Sequence, residues 1–160
     1  MSSSDLRFAN VNCEGVLADL DLLPAAYRVL LKLRAYSEPG GLINMDQAAI
    51  ATLMGLSRPT VNAALRDLDL AQLLTRVRNG SYQLNPMLAG YLTVRDCKAA
   101  VARMPAEQRL NWPGFVEQYR RNVDQYQDQL AEQRRKRAET AKAKAAAEAR
   151  RRGNLRAVVS

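Results

Sequence analysis

Residues 50–68 read IATLMGLSRPTVNAALRDL, a stretch with the pattern of two short helices joined by a tight turn. Two helices that cross closely need a small residue at the contact, and Ala51 supplies one on the first helix. Gly55 fits the turn, because the turn requires a backbone conformation that is costly for other residues. Ser57 is a favourable N-cap for the second helix, whose apolar residues recur at helical spacing. The stretch therefore predicts a helix-turn-helix.

The second helix of this motif, residues 57–70, is predicted to carry the contacts to DNA. In a helix-turn-helix the outward face of this helix, above all its N-terminal part, enters the major groove. Arginine side chains bind guanine edges and asparagine side chains bind adenine edges, whereas serine and threonine hydroxyls suit phosphates. The predicted DNA-binding residues of this helix are Ser57, Arg58, Thr60, Asn62, Ala63 and Arg66.

The residues before the motif predict a helix, a brief strand and a second helix. Pro24 stands near the first position of the earlier helix, where its missing N–H costs nothing. A brief strand is expected over residues 42–45, and a short helix over residues 46–54 with Asp46 as its N-cap. The apolar face of the earlier helix is predicted to consist of Ala26, Val29, Leu30 and Leu33.

The residues after the motif predict a β-hairpin. Residues 73–78 and 81–84 are strand-like, and they flank Asn79 and Gly80. An Asn-Gly pair is a strong hairpin signal because both residues tolerate a positive φ. Residues 87–104 are expected to be helical. The expected fold class is mainly α, of the α+β type, with a small β-hairpin and a long C-terminal helix.

A helix-turn-helix followed by an Asn-Gly hairpin resembles a winged-helix domain of the MarR-like bacterial type, over roughly residues 20–95. The stretch YQLNP at residues 82–86 is also similar to small plasmid replication-initiator winged-helix domains. The resemblance implies that residues 57–70 form the recognition helix. It also implies a wing that reaches phosphates or the minor groove through Arg76, Arg78 and Asn79. MarR-type regulators usually dimerise through helices at both ends of the chain, whereas here the C-terminal helix ends in a basic polar tail.

A long helix is predicted over residues 113–152, with Asn111 as a candidate N-cap and Gly153 as the C-terminal cap. A set of apolar residues in its first half alternates spacings of three and four, which is a heptad pattern. Two interpretations stay open: the stripe is a dimer interface, or it packs back on the winged helix as core. The residues of this stripe, the predicted dimerisation seam, are Val116, Tyr119, Val123, Tyr126 and Leu130.

The positive charge of the chain is concentrated in its C-terminal tail. The chain carries a net charge of +8, but residues 1–95 contain nine basic and eight acidic residues. Residues 132–156 contain ten basic residues and three glutamates, in a composition that favours helix. This segment is either a solvated helix or an electrostatic arm for the DNA backbone. The predicted backbone-binding residues are Arg134, Arg135, Lys136, Arg137, Lys142, Lys144, Arg150, Arg151 and Arg152.

Several classes of site are excluded by composition. The chain has no histidine, so it contains no Ser-His-Asp or Cys-His nucleophile system and no histidine-ligated zinc. A GxxxxGK[ST] phosphate loop is also absent from the sequence. Cys13 and Cys97 stand in no CxxC pattern, which indicates neither a disulfide framework nor a zinc site. We therefore expect no enzyme activity, no cofactor and no metal. No secretory signal or membrane span is predicted either.

These observations predict four regions: an N-terminal segment at residues 1–20, a winged helix-turn-helix domain at 21–95, a helical extension at 96–131 and a basic tail at 132–160. The predicted function is sequence-specific binding of double-stranded DNA by a homodimer in a bacterial cytoplasm, associated with the nucleoid. Its role would be transcription regulation, or assembly on a plasmid or phage replication or partition site with that machinery as a partner. Two alternatives stay open: a protein–protein adaptor built on the winged helix and the long helix, and an RNA binder that uses the basic tail.

Overall fold

The structure is a computed structural model that describes the backbone of residues 7–158 and the side chains of residues 7–155. Its helices are α1 (Val16–Asp19), α2 (Pro24–Tyr36), α3 (Gln47–Met54), α4 (Arg58–Leu70), α5 (Val94–Ala102) and α6 (Phe115–Val158). Its strands β1 (Leu42–Asn44), β2 (Leu74–Arg78) and β3 (Ser81–Leu84) form an antiparallel sheet in the order β1-β3-β2. This architecture confirms the predicted fold class. Residues 1–6 and 159–160, at the ends of the predicted N-terminal segment and tail, lie outside the described residues.

The core of the domain lies between α2, α4 and the sheet. The four apolar positions predicted for α2 are all buried, and α2 packs against α4. Helix α4 buries its own apolar face in turn. Ile43 of β1, Leu74 of β2 and Leu84 of β3 close the core from the sheet side. Burial of an apolar side chain stabilises the fold by about 1.5–3 kcal/mol, so this shared interface fixes the helix-turn-helix on its scaffold.

Both helices of the helix-turn-helix begin at the predicted residues, and the turn between them forms at the predicted glycine. Asp46 caps α3, because its Oδ1 accepts a hydrogen bond from the Ala49 N–H at 2.7 Å. Gly55 ends α3 in the left-handed region, with φ +62°. Ser57 caps α4, because its Oγ accepts a hydrogen bond from the Thr60 N–H at 3.2 Å. These local groups satisfy backbone N–H donors that have no partner inside a helix.

The hairpin forms where predicted, but its turn differs from the expectation. Gly80 has φ +74°, whereas Asn79 does not have a positive φ. The register also slips by one residue, since Arg76 pairs with Tyr82 and Arg78 pairs with Ser81. Neighbouring residues on a strand point to opposite faces, and directly paired residues share a face. Arg76 and Arg78 therefore lie on opposite faces of the wing, although the sequence predicted one shared DNA-facing side.

The prediction of a helix over residues 87–104 is wrong in its first half. Asn85 starts a turn there, because its Oδ1 accepts a hydrogen bond from the Met87 N–H at 2.9 Å. The chain then forms an isolated bridge with the N-terminal segment, in which Phe8 and Tyr91 exchange two backbone hydrogen bonds of 2.8 Å. Helix α5 begins only at Val94. Side-chain and backbone bonding at Asn85 thus overrides the weak helical pattern of the sequence.

Helix α6 starts later and runs further than predicted. It begins at Phe115, whose N–H donates to the Trp112 carbonyl at 3.1 Å, so the chain turns before the helix and Asn111 is not its cap. Gly153 lies inside the helix and has no positive φ, so the predicted C-terminal cap is wrong. The chain divides into two compact units, one up to Asn122 and one from Val123 onward. Within residues 7–158, no helix is long and apolar enough to cross a membrane.

Candidate nucleic-acid interface

Helix α4 separates a buried face from a polar face. Val61, Ala64 and Leu68 are buried, whereas Arg58 and Arg66 are exposed on the other side of the helix. Of the other predicted DNA-binding residues, Ser57 is exposed, and Thr60, Asn62 and Ala63 are half-buried. The Ser57 and Thr60 hydroxyls lie 2.8 Å apart and bond to each other at the start of the helix.

The polar face of α4 forms one wall of a crevice whose other walls are the start of α3 and the wing. Two adjoining hollows make up this crevice, with volumes of about 440 and about 280 Å³. Both hollows are lined by Gln47, Asn62, Arg76 and Tyr82. We call this feature the recognition crevice and define it by Asp46, Gln47, Arg58, Asn62, Arg66, Asp69, Arg76, Asn79 and Tyr82.

Asn62 has unused hydrogen-bonding capacity in the recognition crevice. Its side-chain Oδ1 is buried and has no hydrogen-bond partner in the structure. A buried polar atom without a partner costs free energy, so it gains most from a ligand or water that supplies the missing hydrogen bond. An asparagine amide offers a donor and an acceptor together, which is the pairing that an adenine edge presents in the major groove.

The wing contributes Arg76 and Asn79 to the recognition crevice, but not Arg78. An Arg76 guanidinium N–H donates to Asn79 Oδ1 at 2.6 Å, so the two side chains hold each other at the crevice mouth. Arg78 is on the opposite face, where its Nε donates to Ser81 Oγ at 3.1 Å. Ser81 Oγ in turn donates to Asn44 Oδ1 at 2.9 Å. The register slip in the hairpin is the physical reason for this separation.

Four residues of the crevice were not predicted as site residues from the sequence: Asp46, Gln47, Asp69 and Tyr82. Gln47 is the first residue of α3 and reaches both hollows. Its position directly after the N-cap was the only sequence signal for it. Asp69 stands one turn beyond Arg66, and burial raises the pKa of its carboxyl group. The crevice thus combines three arginines with two carboxylates and three amides, a mixed set that suits base edges better than phosphates alone.

The residues of the predicted dimerisation seam differ in burial in the structure. Tyr119 is 6% exposed, and its Oη donates to Asp67 Oδ1 at 2.8 Å inside its own domain. The prediction that Tyr119 serves dimerisation is therefore wrong, and the alternative of packing as core holds for this residue. The other seam residues are half-buried, and their role in dimerisation stays a prediction: Val116, Val123, Tyr126 and Leu130.

The basic tail residues lie on the C-terminal part of α6. Every residue predicted to bind the DNA backbone there is exposed. One of them, Lys136, forms an ion pair of 2.6 Å with Glu132 one turn earlier. Exposed pairs of this kind contribute at most about 0.5 kcal/mol, so the tail cations stay largely available to an anionic partner.

Comparison with known proteins finds a family model that is similar to part of this chain. The comparison with curated proteins gives no match. Among solved structures, the reduced (Fe(II)) CO-sensing protein from R. rubrum matches with 23% identity, 55% coverage of this chain and a TM-score of 0.37. The match spans 41% of that protein's chain. The family model of the Crp-like helix-turn-helix domain matches residues 27–86. Over these residues the chain is similar to Crp-like domains, which supports a winged helix-turn-helix of the DNA-binding class but not the MarR-like type in particular.

Proposed function

We propose that this protein binds double-stranded DNA at a specific sequence and regulates transcription from it. The observation that carries the proposal is the recognition crevice, where Arg58, Asn62 and Arg66 of α4 face Arg76 of the wing. The first three residues recur every four positions, so they share one side of the helix. The similarity to Crp-like helix-turn-helix domains over residues 27–86 supports the same function independently.

In this proposal α4 is the recognition helix and lies in the major groove. Arg58 and Arg66 read guanine edges, and the Asn62 amide, whose Oδ1 has no partner in the protein, reads an adenine edge. The hydroxyls of Ser57 and Thr60 at the start of α4 contact phosphates. Arg76 and Asn79 reach the backbone or the adjacent minor groove from the wing. Gln47 adds a contact from the start of α3.

The basic tail supplies affinity without sequence preference. Its cations are exposed, and a protein that neutralises phosphates releases counterions from DNA. We further propose a homodimer, built through the seam residues outside the domain core and the helical extension at residues 96–131. A symmetric dimer favours an inverted repeat with half-sites about one helical turn apart. The winged domain at residues 21–95 would read each half-site, and the tail at 132–160 would hold the flanking backbone.

Selection of bound sequences from a random duplex pool, at low and at high salt, tests this function. We expect the wild-type chain to enrich one motif at both salt concentrations. Arg58→Ala should lose the preference at one position of that motif. Arg28→Ala is the matched control, because Arg28 is an exposed arginine of α2 outside the crevice, and it should keep the motif.

The outcomes separate the rival functions. No enriched motif from the wild-type chain would contradict the proposal and support a protein–protein adaptor. Binding of RNA that depends on residues 132–160 and ignores Arg58 would support the RNA-binding alternative. The genomic positions of an enriched motif, at promoters or at replication and partition sites, would decide between the two roles on DNA.

A further inference from the structure

The first turns of α6 are hydrogen-bonded to the C-terminal half of α4 at two points. Tyr119 Oη donates to Asp67 Oδ1 at 2.8 Å, and Asn122 Nδ2 donates to the Leu70 carbonyl at 2.8 Å. Tyr119 and Asn122 are one turn apart on α6, and Asp67 and Leu70 are one turn apart on α4. Two contacts spaced in this way restrain rotation of one helix against the other, whereas a single contact would restrain only their distance.

The Asp67 carboxylate also connects α4 to the start of α2. Its Oδ2 accepts a hydrogen bond from the Leu23 N–H at 2.7 Å, and Tyr119 Oη lies 3.1 Å from the Asp21 carbonyl. Asp67 is only 8% exposed. A buried carboxylate is tolerated only where hydrogen bonds satisfy it, so these partners hold Asp67, and with it the helix, in one position.

The side chains of the recognition crevice depend on that position. Arg66 immediately precedes Asp67, and Arg58 and Asn62 belong to the same rigid helix. A roll of α4 about its axis would therefore displace all three side chains together. Binding sites retain their function only while their groups stay within about 0.5 Å and 10–20° of the working geometry. The rotational setting of α4 is thus a requirement for reading bases.

We infer that Tyr119 and Asn122 are positioning residues for DNA reading: hydrogen bonds from α6 set the rotation of α4, so base discrimination depends on two side chains outside the crevice. This inference rests on the proposed DNA-binding function. It predicts that loss of either bond weakens binding to the selected duplex and leaves binding to a scrambled duplex unchanged, because phosphate contacts tolerate small rotations that base contacts do not.

The test compares Tyr119→Phe with Tyr91→Phe in the full chain. Both substitutions remove one buried tyrosine hydroxyl, but Tyr91 Oη donates to the Pro86 carbonyl at 2.8 Å and makes no bond to α4. Affinities for the selected and the scrambled duplex are measured beside thermal unfolding. We expect Tyr119→Phe to weaken specific binding by a few-fold to about 30-fold and Tyr91→Phe to leave it unchanged, although both lower the melting temperature.

Asn122→Ala gives a second variant at a half-buried site, where the substitution removes the bond to Leu70 and a bond that Gln118 Nε2 donates within α6, and removes no apolar core side chain. It should show the same selective loss as Tyr119→Phe. Unchanged discrimination in both variants, beside a wild-type chain that does discriminate, would overturn this inference alone. An equal loss in Tyr91→Phe would also overturn it, because the effect would then follow stability. A wild-type chain without any sequence preference would overturn the proposed function and this inference together.

Discussion

Arg76 and Arg78 are two residues apart on β2, and yet they lie on opposite faces of the wing. Arg76 faces the recognition crevice and donates to Asn79, whereas Arg78 donates to Ser81 of β3 on the other face of the sheet. A one-residue slip in the pairing of β2 and β3 produces this difference. A comparison of variants of the two arginines therefore separates the effect of a contact in the crevice from the effect of a positive charge elsewhere on the surface.

Arg76→Ala is expected to weaken binding to the selected duplex by about 1–3 kcal/mol, because it removes a charged contact from the crevice. Arg78→Ala removes the same charge from the opposite face and should change the affinity by less than about 0.5 kcal/mol. Fluorescence anisotropy with a labelled duplex measures both values. Equal losses in the two variants would mean that the wing meets DNA with both faces.

The local elements of the fold could be predicted, because their determinants are close in sequence. Asp46, Gly55 and Ser57 each act within four residues of their own position, and all three were predicted. The face of Arg78 could not be predicted, since it depends on the register between two strands. The burial of Tyr119 depends on contacts 52 and 98 residues away in sequence, so its heptad spacing was misleading.

Asn85 is expected to be among the most sensitive positions of the domain. It is 6% exposed, and its Nδ2 donates to the Gln72 and Gln108 carbonyls at 3.0 and 2.9 Å. Asn85→Ala leaves these carbonyls without a partner, so the free energy of unfolding should fall by about 2–4 kcal/mol. Chemical denaturation measures this loss. A change below about 1 kcal/mol would show that water replaces the amide.

Gln72 has φ +57°, and its buried Oε1 has no hydrogen-bond partner. The left-handed region is costly for a residue with a side chain, whereas glycine adopts it readily. Gln72→Gly should therefore raise the free energy of unfolding by about 0.5–1 kcal/mol.

Gly55→Ala is the opposite case, since Gly55 has φ +62°, and it should lower the free energy of unfolding by about 1 kcal/mol. The same sign for both variants would contradict this account.

The stability of the domain should fall at high pH. Burial raises the pKa of Tyr91 to about 12, and burial together with the neighbouring Asp67 carboxylate raises the pKa of Tyr119. In the unfolded chain both phenols lose their protons near pH 10. Above that pH the folded chain holds more protons than the unfolded chain. The free energy of unfolding should therefore decrease by up to about 1.4 kcal/mol per pH unit for each tyrosine.

Urea denaturation between about pH 9 and pH 11 measures that decrease. Tyr119→Phe has one fewer proton to retain, so its stability should fall less steeply with pH than that of the wild-type chain. Parallel curves for the two proteins would show that Tyr119 does not carry the dependence.

The basic tail should control the salt dependence of binding and not its specificity. Replacing the nine predicted backbone-binding residues by glutamine removes their charge and keeps a good helix former at each position. The slope of log K against log salt concentration should become shallower by several units, while the enriched motif stays the same. A changed motif would assign base readout to the tail.

The most direct measurement of the central claim is the ratio of affinities for the selected and a scrambled duplex. It should be taken for the wild-type chain and for the triple variant Arg58→Ala, Asn62→Ala and Arg66→Ala. These side chains lie on the polar face of α4, so the fold should persist. We expect a large ratio for the wild-type chain and a ratio close to one for the triple variant. An unchanged ratio in the triple variant would contradict the claim that α4 reads the DNA sequence.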